Sequence, residues 1–392
     1  MTEKRRNTKI YLLIMVGIIS AFGPFVTDFY LPSFPAISKY FHTTDSLVQL
    51  SLTAGMVGLA FGQLIIGPLS DKYGRKRPLL ASLVLFCIAT LGCLFSPDIY
   101  WFVLFRLVQG LAGAGGVVIS RSIATDLYEG RELSRFFSML SSVQGLAPIL
   151  APVLGGFLLE VTDWRGIFWI LLAIGVALIV TVTLFRESLS KEHRQQSGVF
   201  STFCHYVPLL HNFSFMSYVL VQAFAMGVMF TYIAASPFIF QNHYGLTPVN
   251  YSLCFGANAI SIMIGSLTVS FFRNPMRAMQ LGVQWFCVMS IVVAVLLVAD
   301  VPVLALEGAL FCFLFFLGLI LPSSTTLALG MERDNAGNAS ALLGFLMFIF
   351  GGILSPLAGL GNMLHTTGIL VLVCAAGVWI CMKLAFRMTA NR

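Results

Sequence analysis

Apolar residues run along this chain in long blocks, separated at regular intervals by short charged or Pro/Gly-rich breaks. Twelve blocks stand out: 10–37, 46–69, 78–96, 99–120, 136–159 and 166–185, then 214–240, 248–272, 278–299, 303–326, 338–361 and 366–386. Crossing a bilayer takes about 20 apolar residues of α-helix. The pattern therefore predicts an all-α, polytopic membrane protein with 12 transmembrane helices. The longest polar stretch, Arg186 to Asn212, falls near the midpoint. It divides the chain into a six-helix bundle over 1–186, a cytoplasmic central loop over 187–213 and a second six-helix bundle over 214–392.

Composition removes the alternatives. Of 392 residues 58% are hydrophobic and 10% charged, with a mean hydropathy of +0.90, whereas soluble domains are about a quarter charged. A water-soluble enzyme, a disordered chain and a nucleic-acid-binding protein are excluded, and twelve spans leave no length for a folded extramembrane domain. The net charge of +7 then belongs to loop anchors. With both termini cytoplasmic, that side collects 20 of the 23 Lys and Arg, from Lys4, Arg5, Arg6 and Lys9 through to Arg387 and Arg392. Lys39 and Arg165 lie opposite, and Arg106 lies inside a span. Such asymmetry sets orientation, and one helix more or fewer would scramble it. The N-terminus has the charged and apolar regions of a signal peptide, but the run from Ile10 to Ile37 is too long for one. It is read as an uncleaved first span.

Enzyme chemistry is missing. The eight cysteines are scattered, Cys204 in a loop and the others within apolar runs, without a CxxC or metal-ligand spacing. His42, His193, His205, His211, His243 and His365 fall in loops or at span ends. No metal or other cofactor is expected. Neither HExxH nor GxSxG occurs, and no nucleophile–base constellation is visible. A receptor's appended signalling domain has no room. Without GxxxxGK[ST], the energy source is an ion gradient rather than ATP. A weak internal repeat is also visible. Ala151-Pro152-Val153-Leu154-Gly155 is echoed by Ser355-Pro356-Leu357-Ala358-Gly359, Ser33-Phe34-Pro35 by Ala235-Ser236-Pro237, and Arg75 by Arg277. The offsets of 202 to 204 residues agree well enough to favour duplication, as in parallel-repeat transporters.

Three strings carry mechanism. The loop between spans two and three reads Gly67-Pro68-Leu69-Ser70-Asp71-Lys72-Tyr73-Gly74-Arg75-Lys76-Arg77. Gly67 would let another helix approach closely. Asp71 ends its own helix, where a negative charge is unfavourable, so it should seek an arginine or a helix N-terminus elsewhere. A plain basic loop is the bland alternative. The ordered string resembles the GxLaDrxGRkxxl signature of the major facilitator superfamily. That resemblance implies a conformational switch formed by Gly67, Asp71, Gly74, Arg75, Lys76 and Arg77, with the partner of Asp71 in the other half. Span five carries Gly145, Pro148, Pro152, Gly155 and Gly156, which resemble the antiporter motif GxxxGPxxGG with Ala151 in place of one glycine. The resemblance implies a kinked helix that seals the halves against ion leak.

The third string holds Arg106, in Leu104-Phe105-Arg106-Leu107-Val108-Gln109-Gly110, which resembles the family's fourth-span motif. A buried arginine costs about 2.5–3.5 kcal/mol or more unless paired or hydrated. It lies eight residues from Asp98, a depth of about 12 Å. Asp28 lies eleven residues from Lys39, a depth of about 16 Å. Similar depths suggest that the two are neighbours, with Asp28 the proton carrier and Arg106 its tuner. The alternative for Asp28 is an interfacial cap near Pro32.

The TDFYLPSFP segment, the Arg106 string and Asp163-Trp164-Arg165 most resemble the bicyclomycin/chloramphenicol-resistance branch of the twelve-span drug:proton antiporters. That resemblance implies a monomeric protein of the bacterial inner membrane that exports lipophilic neutral or cationic compounds in exchange for protons. Asp28, Tyr30, Gln109, Gln222, Tyr232 and Asn258 are the candidate substrate-binding residues, although polar residues within spans more often join helices. Glu307 is either interfacial or a second titrating group. A facilitator-fold carrier of a neutral metabolite such as a sugar remains the alternative.

Overall fold

A computed structural model describes residues 8–128, 130–190, 192, 194, 206–332 and 336–390. The sequence readings on Lys4, Arg5, Arg6, Lys191, His193, Cys204, His205, Arg333 and Arg392 lie outside the described residues. So do those on the side chains of Lys9, Arg131 and Arg135.

The apolar blocks become helices: α1 (Lys9–Asp28), α2 (Phe34–Tyr40), α3 (Asp45–Tyr73), α4 (Lys76–Leu94), α5 (Ile99–Leu127), α6 (Gly130–Leu158) and α7 (Trp164–Leu184). The second half adds α8 (Tyr206–His211), α9 (Phe213–Pro237), α10 (Pro248–Thr268), α11 (Pro275–Val298), α12 (Val303–Met331), α13 (Ala336–Leu354) and α14 (Met363–Ala390). Among the described residues eleven spans are long and apolar enough to cross a bilayer; the remaining one, within α6, is apolar over Val143–Leu158. Short polar residues set the starts: Asp98 accepts from the N–H groups of Tyr100 and Trp101 at 2.9 and 3.0 Å, satisfying donors that the helix cannot. The first span is not continuous. Prolines 32 and 35, which lack N–H donors, break it into α1, a 3-10 turn at Leu31–Ser33, and α2.

The spans form two six-helix bundles. In the first, α5 packs on α3, α4 and α1; in the second, α12 packs on α10 and α11, and α9 on α13 and α14. The crossings are made by small residues, which let backbones meet inside a membrane. A Cβ on Gly110 would overlap the carbonyl of Gly55, and one on Gly58 the carbonyl of Leu107. In the second bundle a Cβ on Gly265 would overlap the carbonyl of Phe315, and one on Gly318 that of Ile262. Gly67 is not such a position, contrary to expectation. Its nearest neighbour would be Val118 Cγ1 at 3.7 Å, an ordinary contact. The close approach lies further back along α3.

The bundles meet along two seams, α6 against α10 and α3 against α13. At the end remote from the chain termini, Ser46 donates to the Pro356 carbonyl, Gln49 to Ala234 and Gln241 to Pro32, each at 3.0 Å.

Gly110→Ala is expected to destabilise the detergent-purified protein by about 1–3 kcal/mol, as overpacking does, whereas Gly67→Ala leaves the melting curve in place. Parallel thermal melts of the two variants check the pair.

Candidate transport site

Arg106 is fully buried within the first bundle. Its guanidinium donates to the Val26 carbonyl at 2.9 Å and to Gln109 Oε1, and lies 4.1 Å from the centre of the Tyr30 ring. Gln109 in turn donates to Thr90 Oγ1 at 2.8 Å, and the Tyr30 hydroxyl meets Ser51 Oγ at 3.1 Å. Gly55 leaves room for the guanidinium, since a Cβ there would come within 3.2 Å of it. Four helices and the Tyr30 turn therefore solvate one charge. Arg106 Nε alone is buried without a partner.

Asp28 does not belong to this cluster, which corrects the pairing inferred from depth. Among the described residues no ion pair reaches it. Val26 meets Arg106 through its backbone carbonyl, and Tyr30 lies in the turn beyond the end of α1, so neither contact brings the Asp28 side chain to the guanidinium. Asp28 instead faces a cavity of about 650 Å³ between the bundles. The wall is mostly apolar: Pro148 of α6, Met229 and Tyr232 of α9, and Phe255 and Met263 of α10. Asp28 itself is 6% exposed.

The other candidates separate. Tyr232 lines the cavity, stacked 5.7 Å from Phe255. Asn258 lies behind it, donating to the Tyr232 hydroxyl at 3.0 Å and to Glu307 Oε2 at 3.1 Å. Tyr30 and Gln109 are fully buried in the Arg106 cluster and do not line this cavity. Gln222 joins helices: it accepts from Thr325 Oγ1 at 2.8 Å and donates to Met347 Sδ at 3.2 Å. Four of the six proposed substrate contacts, Tyr30, Gln109, Gln222 and Asn258, therefore lie off the cavity wall and bond to other side chains.

Comparison with known proteins fits this architecture. The model of the Major Facilitator Superfamily matches residues 13–356. The chain belongs to the Major Facilitator Superfamily. It is 39% identical to the uncharacterized MFS-type transporter YdgK of Bacillus subtilis (strain 168), covering 90% of each chain. It is 29% identical to a bicyclomycin resistance protein homolog of Haemophilus influenzae, over 91% of this chain and 90% of that one. Multidrug resistance protein D of Escherichia coli (strain K12) is 25% identical, over 94% and 96%. Among solved structures, a D-xylose–proton symporter shares the fold with a TM-score of 0.77 at 14% identity, covering 94% of this chain and 97% of that one. A bacterial homolog of the human lysosomal transporter Spinster, inward-facing and unoccupied, gives 0.74 at 16%, over 97% and 99%. The protein is thus a multi-pass membrane transporter of small molecules, not an enzyme.

The superfamily loop is a network within the first half. Arg75 pairs with Asp71, with Asp126 at 2.9 Å and with Ser70 Oγ at 2.8 Å. Burial works against its charge, but the two carboxylates outweigh that and hold its pKa above the ordinary value. Asp71 therefore finds its arginine four residues away, where a partner in the other half was expected. Glu187, which sequence reasoning missed, accepts from the backbone N–H groups of Arg75 and Lys76 at 2.7 and 3.2 Å, a carboxylate at a helix N-terminus. Lys76 Nζ donates to the Thr183 carbonyl at 2.6 Å, and Arg77 is exposed. Gly74 has φ +90°, with room only for hydrogen beside Glu187.

The span-five motif lies on a seam. Gly145 and Pro148 line the cavity. Beyond the second proline, Pro152, which like Pro148 lies inside a continuous α6, Gly155 abuts the Phe29 carbonyl and Gly156 abuts Ser252 of α10.

A double-mutant cycle tests the separation of Asp28 from Arg106. The stability effects of Asp28→Asn and Arg106→Lys should add to within about 0.5 kcal/mol, as for groups that share no partner. A coupling above about 1 kcal/mol in thermal or chaotrope melts would mean that the side chains do meet.

Proposed function

We propose that this transporter exports lipophilic neutral or cationic compounds in exchange for protons, by alternating access of the two bundles. The observation that carries this reading is Asp28, a carboxylate with no ion-pair partner among the described residues, on the wall of a mostly apolar cavity between the bundles. Its volume falls in the range of small-molecule pockets, about 300–1,000 Å³. An apolar wall favours lipophilic cargo through burial of surface, and a single carboxylate suits a cation or a proton. Both cannot occupy it at once. Competition of that kind couples the two fluxes in opposite directions.

Arg106 supports this role without touching Asp28. Its hydrogen bond to the Val26 carbonyl pins α1 two residues before the carboxylate. Gly155 and Gly156 keep α6 against the end of α1 and against α10, which is what a seal against proton leak requires. The relatives named for bicyclomycin and multidrug resistance support the direction and the cargo class. The asymmetry of basic residues supports cytoplasmic termini, and the bacterial relatives support an inner-membrane location. In that orientation the bundles are joined at the outer face by Ser46, Gln49 and Gln241, and the cavity is loaded from the inside.

Everted vesicles carrying the protein, with an imposed pH gradient and a fluorescent lipophilic cation as probe, provide the test. Wild type should accumulate the dye, Asp28→Asn should lose gradient-driven uptake, and Asp28→Glu should keep a measurable part. Full uptake by Asp28→Asn would exclude this carboxylate as the coupling group. Uptake of a sugar panel with no dye transport would favour the metabolite carrier instead.

A further inference from the structure

The second bundle holds a polar cluster that the mechanism above leaves unused. Glu307 lies just over one turn into α12, within a span of mean hydropathy 2.5. Asn258 Nδ2 donates both to Glu307 Oε2 and to the Tyr232 hydroxyl. Glu307 Oε1 and Asn258 Oδ1 are buried with no hydrogen-bond partner. Among the described residues no ion pair reaches Glu307. From α9 and α10 the titratable groups that face it are Tyr232, Tyr251 and Cys254. The only charged residue of α11 is Arg277, at that helix's opposite end.

The internal repeat gives this cluster a counterpart. Glu307 follows Arg106 by 201 residues, and Tyr232 follows Tyr30 by 202. In each bundle a charged residue of the fourth span is associated with a tyrosine near the end of the first, by ring contact in one and through Asn258 in the other. The first-bundle charge is permanent, because arginine stays protonated in proteins. The second-bundle charge can be removed by a proton.

We propose that Glu307 is a second proton-exchanging site, linked to the Asp28 cavity through the Asn258 amide and the Tyr232 hydroxyl. It rests on the transporter reading but not on the role of Asp28. The step is reversible transfer of a proton between water and a carboxylate oxygen, with no other bond made or broken. Ionised Glu307 accepts from the Asn258 NH₂. Protonated Glu307 is a donor, and it finds an acceptor when the amide turns over to present Oδ1. That oxygen then also accepts from the Tyr232 O–H, so the hydrogen bond at the cavity wall reverses direction. Cargo facing Tyr232 meets a free phenolic hydrogen in one state and a committed one in the other.

Infrared difference titration of the full detergent-purified chain tests this. Above about pH 6, exposed carboxyls are ionised, and a carboxylic C=O band that persists belongs to a sheltered acid. Glu307→Gln should remove one such band, Asp28→Asn a different one, and Tyr232→Phe or Asn258→Ala should shift the Glu307 band alone. Survival of every persistent band in Glu307→Gln overturns the site. A Glu307 band unmoved by Tyr232→Phe and Asn258→Ala overturns the link. Absence of the Asp28 band bears on the coupling carboxylate only, so the two readings fail separately.

Discussion

A guanidinium enclosed by helices has to be solvated by the protein, and that requirement organises the first bundle around Arg106. Water is replaced by the Val26 carbonyl of α1, Gln109 of α5 and the face of Tyr30, with Thr90 of α4 and Ser51 of α3 holding those partners in turn. Removing any one leaves a buried polar group unmatched, at a cost of about 1–3 kcal/mol. The close crossing of α3 and α5 follows from the same need, since Gly55 both receives Gly110 and leaves space for the guanidinium. Rigidity at this point positions the end of α1, and with it Asp28.

Backbone and side chain of α1 thus divide structure from transport. Its backbone near the C-terminal end is committed to Arg106 through the Val26 carbonyl. The Asp28 side chain presents a carboxylate to a cavity whose remaining walls come mostly from α6, α9 and α10. Those helices belong to different bundles, so relative movement of the bundles changes what surrounds Asp28. On the proposed exchange reading, a titratable group at such a place would couple proton occupancy to conformation by differential stabilisation of the two arrangements.

Span number and the burial of Arg106 were legible because they depend on hydropathy and length. The partner of Arg106 was not. Counting residues from a loop gives depth along a helix but not the direction a side chain faces, and the Asp28 carboxylate faces the inter-bundle cavity while α1 meets Arg106 through the Val26 carbonyl. Tyr30, Gln109 and Gln222 were misread for a related reason: polar side chains inside spans satisfy one another, and which do so depends on helix neighbours that periodicity does not specify. The close crossing was readable in principle, as Gly55, Gly58 and Gly62 share one face of α3. The better-known Gly67 drew the inference instead. Glu187 gave no signal of its role in the loop, since what ties it there are the backbone N–H groups of Arg75 and Lys76, more than a hundred residues earlier.

The internal repeat has a mechanical consequence at the seams. Under it the second span exchanges with the eighth and the fifth with the eleventh, so α3 on α13 and α10 on α6 are two copies of one joint. A rotation that parts the first joint at one end must part the other by an equal amount, and neither can open alone. The clasp formed by Ser46, Gln49 and Gln241 then acts as a fulcrum. Its three hydrogen bonds lie away from the cavity lining, so any change at this end acts on how the bundles meet rather than on the walls of the cavity.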